Sequence, residues 1–137
     1  MEKKILLIDD DPDEHLVFMD ALKKVPGVFN CAYAECAEEG LALAKTYKPD
    51  IIFVDYNMPR VNGLEFLSVL RASVRPGLSR VYIYSTCISD EMNKMAKVLG
   101  ASGCIEKTTT ISTLIRELNA ILYPDLLPNY VYFGRGK

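Results

Sequence analysis

The residues of this chain that could do chemistry are mostly acids, and they are unevenly placed. Asp9, Asp10, Asp11, Asp13 and Glu14 put five acids into six residues, directly after the apolar run Ile5-Leu6-Leu7-Ile8. A second apolar run, Ile51 to Val54, ends on Asp55; a third ends on Ser85; and Lys107 follows a fourth. Crowded carboxylates repel, and two unit charges about 4 Å apart cost roughly 4 kcal/mol at an effective dielectric of about 20. Such crowding is tolerable where it holds a cation. An all-oxygen set with room for water suits Mg2+, which takes one or two carboxylates together with substrate phosphate. A metal beside a carboxylate, a hydroxyl and an ammonium group is a site for a phosphoryl group. The carboxylate is then the nucleophile, and the metal and the lysine neutralise the transferring oxygens.

Composition excludes most competing chemistries. His15 is the single histidine, so a zinc site with two or three histidines is impossible, and Ser-His-Asp or Cys-His catalysis would have to run through it alone. Cys31, Cys36, Cys87 and Cys104 form no Cys-x-x-Cys pair and read as small buried hydrophobes of a reducing compartment. Sixteen Lys and Arg against eighteen Asp and Glu leave a net charge of -2, which argues against binding nucleic acid or anionic membrane by bulk charge. Lys3-Lys4 precedes only four apolar residues, too few for a signal peptide. No apolar run approaches the roughly 20 residues of a membrane helix, so a soluble, cytoplasmic protein is expected. The 137 residues are one domain's worth, and with half of them hydrophobic a core needs no disulfide or metal staple.

The elements that must position these residues alternate. Lys4 to Asp9 is long enough for a strand and too short for a helix, and its unbroken hydrophobicity implies burial on both faces, as in a parallel sheet. After Pro12-Asp13, a helix is expected from Glu14 to Val25, stopped by Pro26-Gly27. Strands are expected over 28–34, 50–55, 80–85 and 102–105, and helices over 36–47, 64–71, 90–99 and 110–122. Gly100 is placed to cap the fourth helix. In the last helix Ile111, Leu114, Ile115, Leu118 and Leu122 share one face. Five βα units predict a doubly wound α/β fold with a parallel sheet and right-handed crossovers. The domain is expected to span residues 1–122. Residues 123–137 form an aromatic-containing tail with no domain of its own.

In open parallel α/β sheets, ligands bind outside the carboxyl ends of the strands. Asp9 and Asp10 end the first strand, Asp55 the third and Ser85 the fourth, and Lys107 closely follows the fifth. They therefore converge on one edge, while the second strand ends in Ala34-Glu35 and lies apart. Asp11, Asp13 and Glu14 are better read as solvated acids at a helix start, where negative charge suits the helix dipole. His15 is expected to face solvent, and Met92 and Met95 to pack in the core.

The run Ile-Leu-Leu-Ile-Asp9-Asp10-Asp11-Pro12, the segment Asp55-Tyr-Asn57-Met58-Pro59-Arg-Val-Asn-Gly63, Ser85, and Gly100-Ala101 followed by Lys107 together resemble the receiver domain of two-component response regulators over roughly residues 3 to 122. The resemblance implies a flavodoxin-like five-stranded sheet of order 2-1-3-4-5; a receiver protein is among the standard examples of that order. It implies that Asp55 accepts a phosphoryl group from a histidine kinase or a phosphotransfer protein. Asp10 would bind Mg2+ directly, Asp9 through water, and the backbone carbonyl of Asn57 would complete the protein ligands alongside Asp55. Lys107 would pair with the phosphoryl group and Ser85 would move to hydrogen-bond it. Such a domain is not a classical enzyme, although it assists its own phosphorylation and dephosphorylation.

The sequence departs from the family pattern at three points. Thr108 follows Lys107 where proline, with a cis bond, is usual. A non-proline cis bond costs roughly 3–4 kcal/mol, so a trans bond is expected, or a strained cis one enforced by the site. Cys104 stands where the switch aromatic usually lies, leaving Tyr84 or Tyr82 as candidates to replace it. Thr86 follows Ser85 where a small residue is usual, which would narrow access to Asp55.

Two other functions compete. A receiver-like interaction module working without phosphorylation is compatible with Cys104 and Thr108. A haloacid-dehalogenase-type phosphatase fits Asp9-Asp10-Asp11 loosely, but it needs a late acid pair, and only Glu117 and Asp125 follow Lys107. With no second domain legible, output is expected through binding to a downstream protein, with neither direct nucleic-acid contact nor membrane insertion. Tyr123, Tyr130, Tyr132 and Phe133 are expected to pack on the domain or on a second copy in a homodimer, since such aromatics are unusual in a disordered tail.

Overall fold

A computed structural model describes residues 3–73, 79–107 and 110–123 and the backbone of 131–132. Five βα units follow one another: β1 (Lys3–Ile8), α1 (Pro12–Lys23), β2 (Phe29–Ala34), α2 (Ala37–Thr46), β3 (Ile51–Asp55), α3 (Gly63–Ser73), β4 (Arg80–Ser85), α4 (Asp90–Val98), β5 (Gly103–Glu106) and α5 (Ile111–Leu122). A two-residue strand, β6 (Val131–Tyr132), lies beyond them. The sheet order is β2-β1-β3-β4-β5-β6, and all pairings are parallel.

The unbroken apolar runs are explained by cover on both faces. Ile5 and Leu7 of β1 pack with Phe53, Tyr82 and Ile105 against Phe18 and Leu22 of α1 and Leu114 and Leu118 of α5. Leu6 and Ile8 point the other way, with Val54, Ile83 and Cys104, against Ala44 of α2, Phe66 and Leu70 of α3, and Ala96 of α4. Successive strand residues thus feed two cores, which alternation of side chains across a pleat requires.

Local chemistry sets the element ends. α1 begins two residues earlier than expected because Asp11 is its N-cap, accepting from the Asp13 amide at 3.0 Å, and Pro12 occupies the first turn. The helix stops at Lys23, short of the expected Val25. Gly100, at φ +92°, follows the α4 cap and donates to the Lys97 carbonyl at 3.1 Å, while the Ala101 amide reaches Ala96 O at 2.9 Å. That left-handed turn is the expected glycine cap.

The five-strand order is the expected one, and the sheet runs one strand further. Gly103 and Cys104 pair with Val131 and Tyr132. An edge strand presents unpaired backbone groups, and the β-forming pair Val131-Tyr132 occupies them at β5. The Tyr123 hydroxyl donates to the Pro26 carbonyl, tying the end of α5 to the α1–β2 turn. Tyr130, Phe133 and the Lys107–Thr108 bond fall outside the described residues. Among the described residues, no helix is long and apolar enough to cross a membrane.

Candidate functional site

Asp9 follows β1, Asp55 closes β3 and Lys107 follows β5, so the parallel sheet brings all three to one edge. Asp9 and Asp55 are buried and Asp10 is exposed; one carboxylate oxygen from each lies within 4.8 Å of the others. Lys107 Nζ bridges the two buried acids, 3.1 Å from Asp9 Oδ2 and 3.1 Å from Asp55 Oδ1.

Backbone contacts fix each member. The Asp9 amide donates to Ala34 O at 3.0 Å, and Asp9 Oδ1 accepts from the Asp11 amide at 2.9 Å. Asp9 Oδ2 is buried, and among the described residues the Lys107 ammonium is what reaches it. Beyond Asp55, the Tyr56 amide donates to Tyr84 O at 2.8 Å and the Asn57 amide to Asp55 Oδ1 at 3.3 Å. The Gly63 amide donates to Tyr56 O at 2.9 Å, folding the loop back onto Asp55. A Cβ on Gly63 would lie 2.9 Å from the Asp55 carbonyl oxygen, so this close approach admits only glycine. The Lys107 amide donates to Ser85 O at 2.7 Å, which aims the lysine along the edge.

The charges are unevenly balanced. Burial, and then the negative charge of Asp9, push the Asp55 carboxyl up to about 6, against the pull of Lys107 and the Asn57 amide. Burial opposes the charge on Lys107, but Asp9 and Asp55 together outweigh it and raise its affinity for the proton. Glu14 is also raised, by burial first, with Lys107 opposing.

The remaining expected residues divide. Ser85 is buried at the same edge, and its hydroxyl donates to the Cys87 carbonyl at 3.0 Å while accepting from the Cys87 amide at 3.3 Å. It is engaged in its own turn, not with Asp55. Asn57 is exposed beside Asp55, and Thr86 is exposed past Ser85. Asp11 and Asp13 are exposed at the start of α1, while Glu14 there is half-buried. Of the two candidate aromatics, Tyr84 lies at the site, with its buried ring 5.3 Å from Lys107 Nζ. Tyr82 lies deeper, stacked on Phe53 at 5.6 Å with its hydroxyl accepting from Arg80. Cys104 is completely buried.

Three expectations are corrected. His15 does not face solvent: it is half-buried, its Nε2 lies 2.7 Å from Asp9 O, and its ring stacks on Tyr33 at 5.1 Å. Met92 packs against the core, but Met95 is 46% exposed, because the pair straddles the edge of the apolar face of α4. Cys104 is buried, whereas Cys31 and Cys36 are only half-buried and Cys87 is exposed in the turn after β4; all four are free thiols.

Sequence reasoning weighed Glu117 only as a late acid for the phosphatase alternative and did not anticipate its burial. It is 97% buried, its Oε1 has no partner among the described residues, and burial, then Glu106, push it up to about 7 against Arg116. Its place three residues after Leu114, on the apolar stripe, was the available signal. It is not part of the cluster of Asp9, Asp10 and Asp55. Asp125 falls outside the described residues.

A family model described as response regulator receiver domain matches residues 5–119. The nitrate/nitrite response regulator protein NarL of Escherichia coli strain K12 is 33% identical over 115 residues, 84% of this chain and 52% of NarL. The chain therefore spans about half the length of that curated relative. Protein PilH of Pseudomonas aeruginosa is 29% identical over 119 residues, 87% of this chain and 97% of PilH. Among solved structures, the chemotaxis protein CheY4 of Vibrio cholerae matches with a TM-score of 0.77 at 26% identity, covering 88% of this chain and 99% of its own.

Proposed function

The chain belongs to the response regulator receiver family of two-component signal transduction, and from that premise we propose that it is a phosphoacceptor whose Asp55 takes a phosphoryl group from a phosphohistidine donor. The observation that carries this reading is the Lys107 ammonium held 3.1 Å from both Asp9 and Asp55, with Asp10 completing an oxygen cluster open to solvent.

The donor set fits Mg2+. Three carboxylates offer hard oxygen ligands around a single lysine, and the burial and the Asp9 charge that together lift Asp55 are a cost that a dication would relieve. Asp10 and Asp55 would hold the ion with the Asn57 carbonyl, and Asp9 would act through water. When bound, the ion supplies positive charge to the oxygens of the transferring phosphoryl group.

The rest falls to the chain's own groups. An Asp55 carboxylate oxygen attacks phosphorus; the new O–P bond forms as the donor's P–N bond breaks, and the imidazole leaves with the electron pair and takes up a proton. Lys107 stands within reach of the incoming phosphoryl oxygens and loses nothing by leaving Asp55, whose carboxylate has become an ester-like acyl phosphate. Ser85 gives up its bond to the Cys87 carbonyl to donate to the same oxygens. We read the donor as a histidine kinase or a phosphotransfer protein, the output as altered contacts with a downstream protein or a second copy, and the location as cytoplasmic.

The test is incubation with Mg2+ and a small phosphodonor, read by intact mass. Wild type gains one phosphoryl group and Asp55→Asn gains none. No adduct with any donor would leave the passive interaction module, and steady turnover of a phosphate monoester would return the phosphatase.

A further inference from the structure

The single histidine of the chain lies against the acid cluster without touching a carboxylate. His15 stands on the second turn of α1, and its Nε2 is 2.7 Å from the backbone carbonyl oxygen of Asp9. A carbonyl oxygen only accepts, so Nε2 carries the hydrogen and donates it. The ring is held from the side by Tyr33 of β2, with centroids 5.1 Å apart and planes 28° from parallel. A half-buried aromatic platform thus aims one N–H at one backbone oxygen.

That oxygen belongs to the peptide unit joining Asp9 to Asp10. The unit is planar, so fixing its carbonyl also fixes the Asp10 amide and the chain torsions on either side. From those two α-carbons hang two of the three clustered carboxylates. The other local bonds hold different groups: the Asp9 amide goes to Ala34, the Asp9 side chain accepts from Asp11, and the Asp11 side chain accepts from Asp13. His15 is what holds the linking peptide itself.

We propose that His15 is a positioning residue of the acid cluster: by donating to the Asp9 carbonyl from a ring braced on Tyr33, it presets the directions of the Asp9 and Asp10 carboxylates for a divalent cation. The assignment rests on the cation-binding part of the proposed function. Groups that orient ligands without touching the metal typically contribute about 10- to 100-fold in affinity, and His15 acts one bond further back, through the backbone.

The experiment separates the donor from the packing. His15→Phe keeps an aromatic ring for Tyr33 and removes the N–H. His15→Gln gives up the stack but carries an amide N–H to about the reach of Nε2. Mg2+ alone is titrated into each metal-free protein by calorimetry, and amide hydrogen exchange at Asp10 and Asp11 is followed before any metal is added. Thermal melts confirm that each variant is folded. The expected result is a loss of about 10-fold in Mg2+ affinity in His15→Phe, with faster exchange at Asp10 and Asp11, and recovery of most of both in His15→Gln. Equal weakening in both variants, or affinity and exchange unchanged in His15→Phe, overturns the assignment. Asp10→Asn distinguishes the two levels. If wild type binds Mg2+ and Asp10→Asn does not, a silent His15→Phe refutes His15 alone. If wild type binds no Mg2+, the cation site falls and this assignment with it.

Discussion

Replacing Asp55 by asparagine should stabilise the metal-free protein while abolishing its proposed chemistry. The magnitude follows from the charge balance at the strand ends. The Asp55 carboxyl stands at about 6, against 3.8 for an ordinary aspartate, with burial the main cause and Asp9 the next. The gap is roughly two pH units, each worth about 1.36 kcal/mol between the charged and neutral forms. Holding Asp55 ionised in the folded chain therefore costs about 3 kcal/mol, with the attraction of Lys107 already included. An asparagine of the same shape carries no charge and escapes that cost. In a domain of this size, about 3 kcal/mol corresponds to roughly 10 °C in Tm.

The sign gives the prediction its shape. Folded wild type holds the Asp55 proton more tightly than the unfolded chain does. The stability contributed by this group is therefore full below about pH 4 and is lost as pH rises through about 6. Asp55→Asn lacks that slope, so the two proteins should have similar stability near pH 4, diverge between about 4 and 6, and differ by a constant amount above. A bound cation would close the gap, because at a hundred times its Kd a ligand stabilises by about 2.7 kcal/mol, close to the whole difference. The assay is urea unfolding of both proteins near pH 4 and pH 7, first in EDTA and then in Mg2+. An Asp55→Asn variant no more stable than wild type at pH 7 in EDTA would refute the charge balance. A gain undiminished by saturating Mg2+ would refute the link between that repulsion and cation binding.

Two further outcomes are expected. Glu117→Gln should be more stable than wild type above about pH 7, by about 3 kcal/mol, with the gain fading as pH falls towards 4.5, because burial raises the Glu117 carboxyl from 4.5 to about 7; equilibrium unfolding against pH reads it directly. Gly63→Ala should destabilise the domain by about 1–3 kcal/mol and slow phosphorylation by a small donor, because its Cβ would meet the Asp55 carbonyl oxygen at 2.9 Å and Tyr56 Cα at 3.0 Å, backbone atoms that cannot swing aside. Wild-type stability and rate in that variant would show that the β3–α3 loop is free to yield.

The strands were legible because a strand buried on both faces has an unbroken apolar run, and the acids were legible because they end those runs. Strand ends on one edge then bring Asp9, Asp10, Asp55, Ser85 and Lys107 together with no further information. His15 was misread because its environment depends on where α1 starts. With the helix beginning at Pro12, residue 15 stands in a formed turn whose side chains lean towards the N-terminus, over the β1–α1 loop. A start at Glu14 leaves it at a fraying end. β6 was invisible because two residues have no periodicity; only pairing with β5 makes them a strand. Glu117 lay on the apolar stripe of α5, but one charge there reads as an interruption until its burial is measured. Met95 shows the opposite error, since spacing places a residue on a face without saying whether anything covers that face.

The same charge distribution explains why this fold tolerates a site that weakens it. Asp9 and Asp55 are buried at the ends of neighbouring strands, where the sheet register, not their own energetics, fixes them. One ammonium group at 3.1 Å from each offsets part of the cost of burying them together, and what remains, burial first and the Asp9 charge second, stays on Asp55 as a raised proton affinity. Asp10 adds a third negative charge, and among the described residues Lys107 is the lysine in contact with the cluster. The site is therefore short of positive charge by construction, and the shortfall is local, since the chain as a whole carries only -2. A pocket of that kind gains most from a small cation that several oxygens can reach at once. A single lysine pairs with at most two of them, and a proton neutralises one but would remove the proposed nucleophile. Under the proposed function, the free energy lost to burying these charges in the metal-free fold would reappear as affinity for the cation. That exchange is why the predicted gain of Asp55→Asn should vanish in Mg2+.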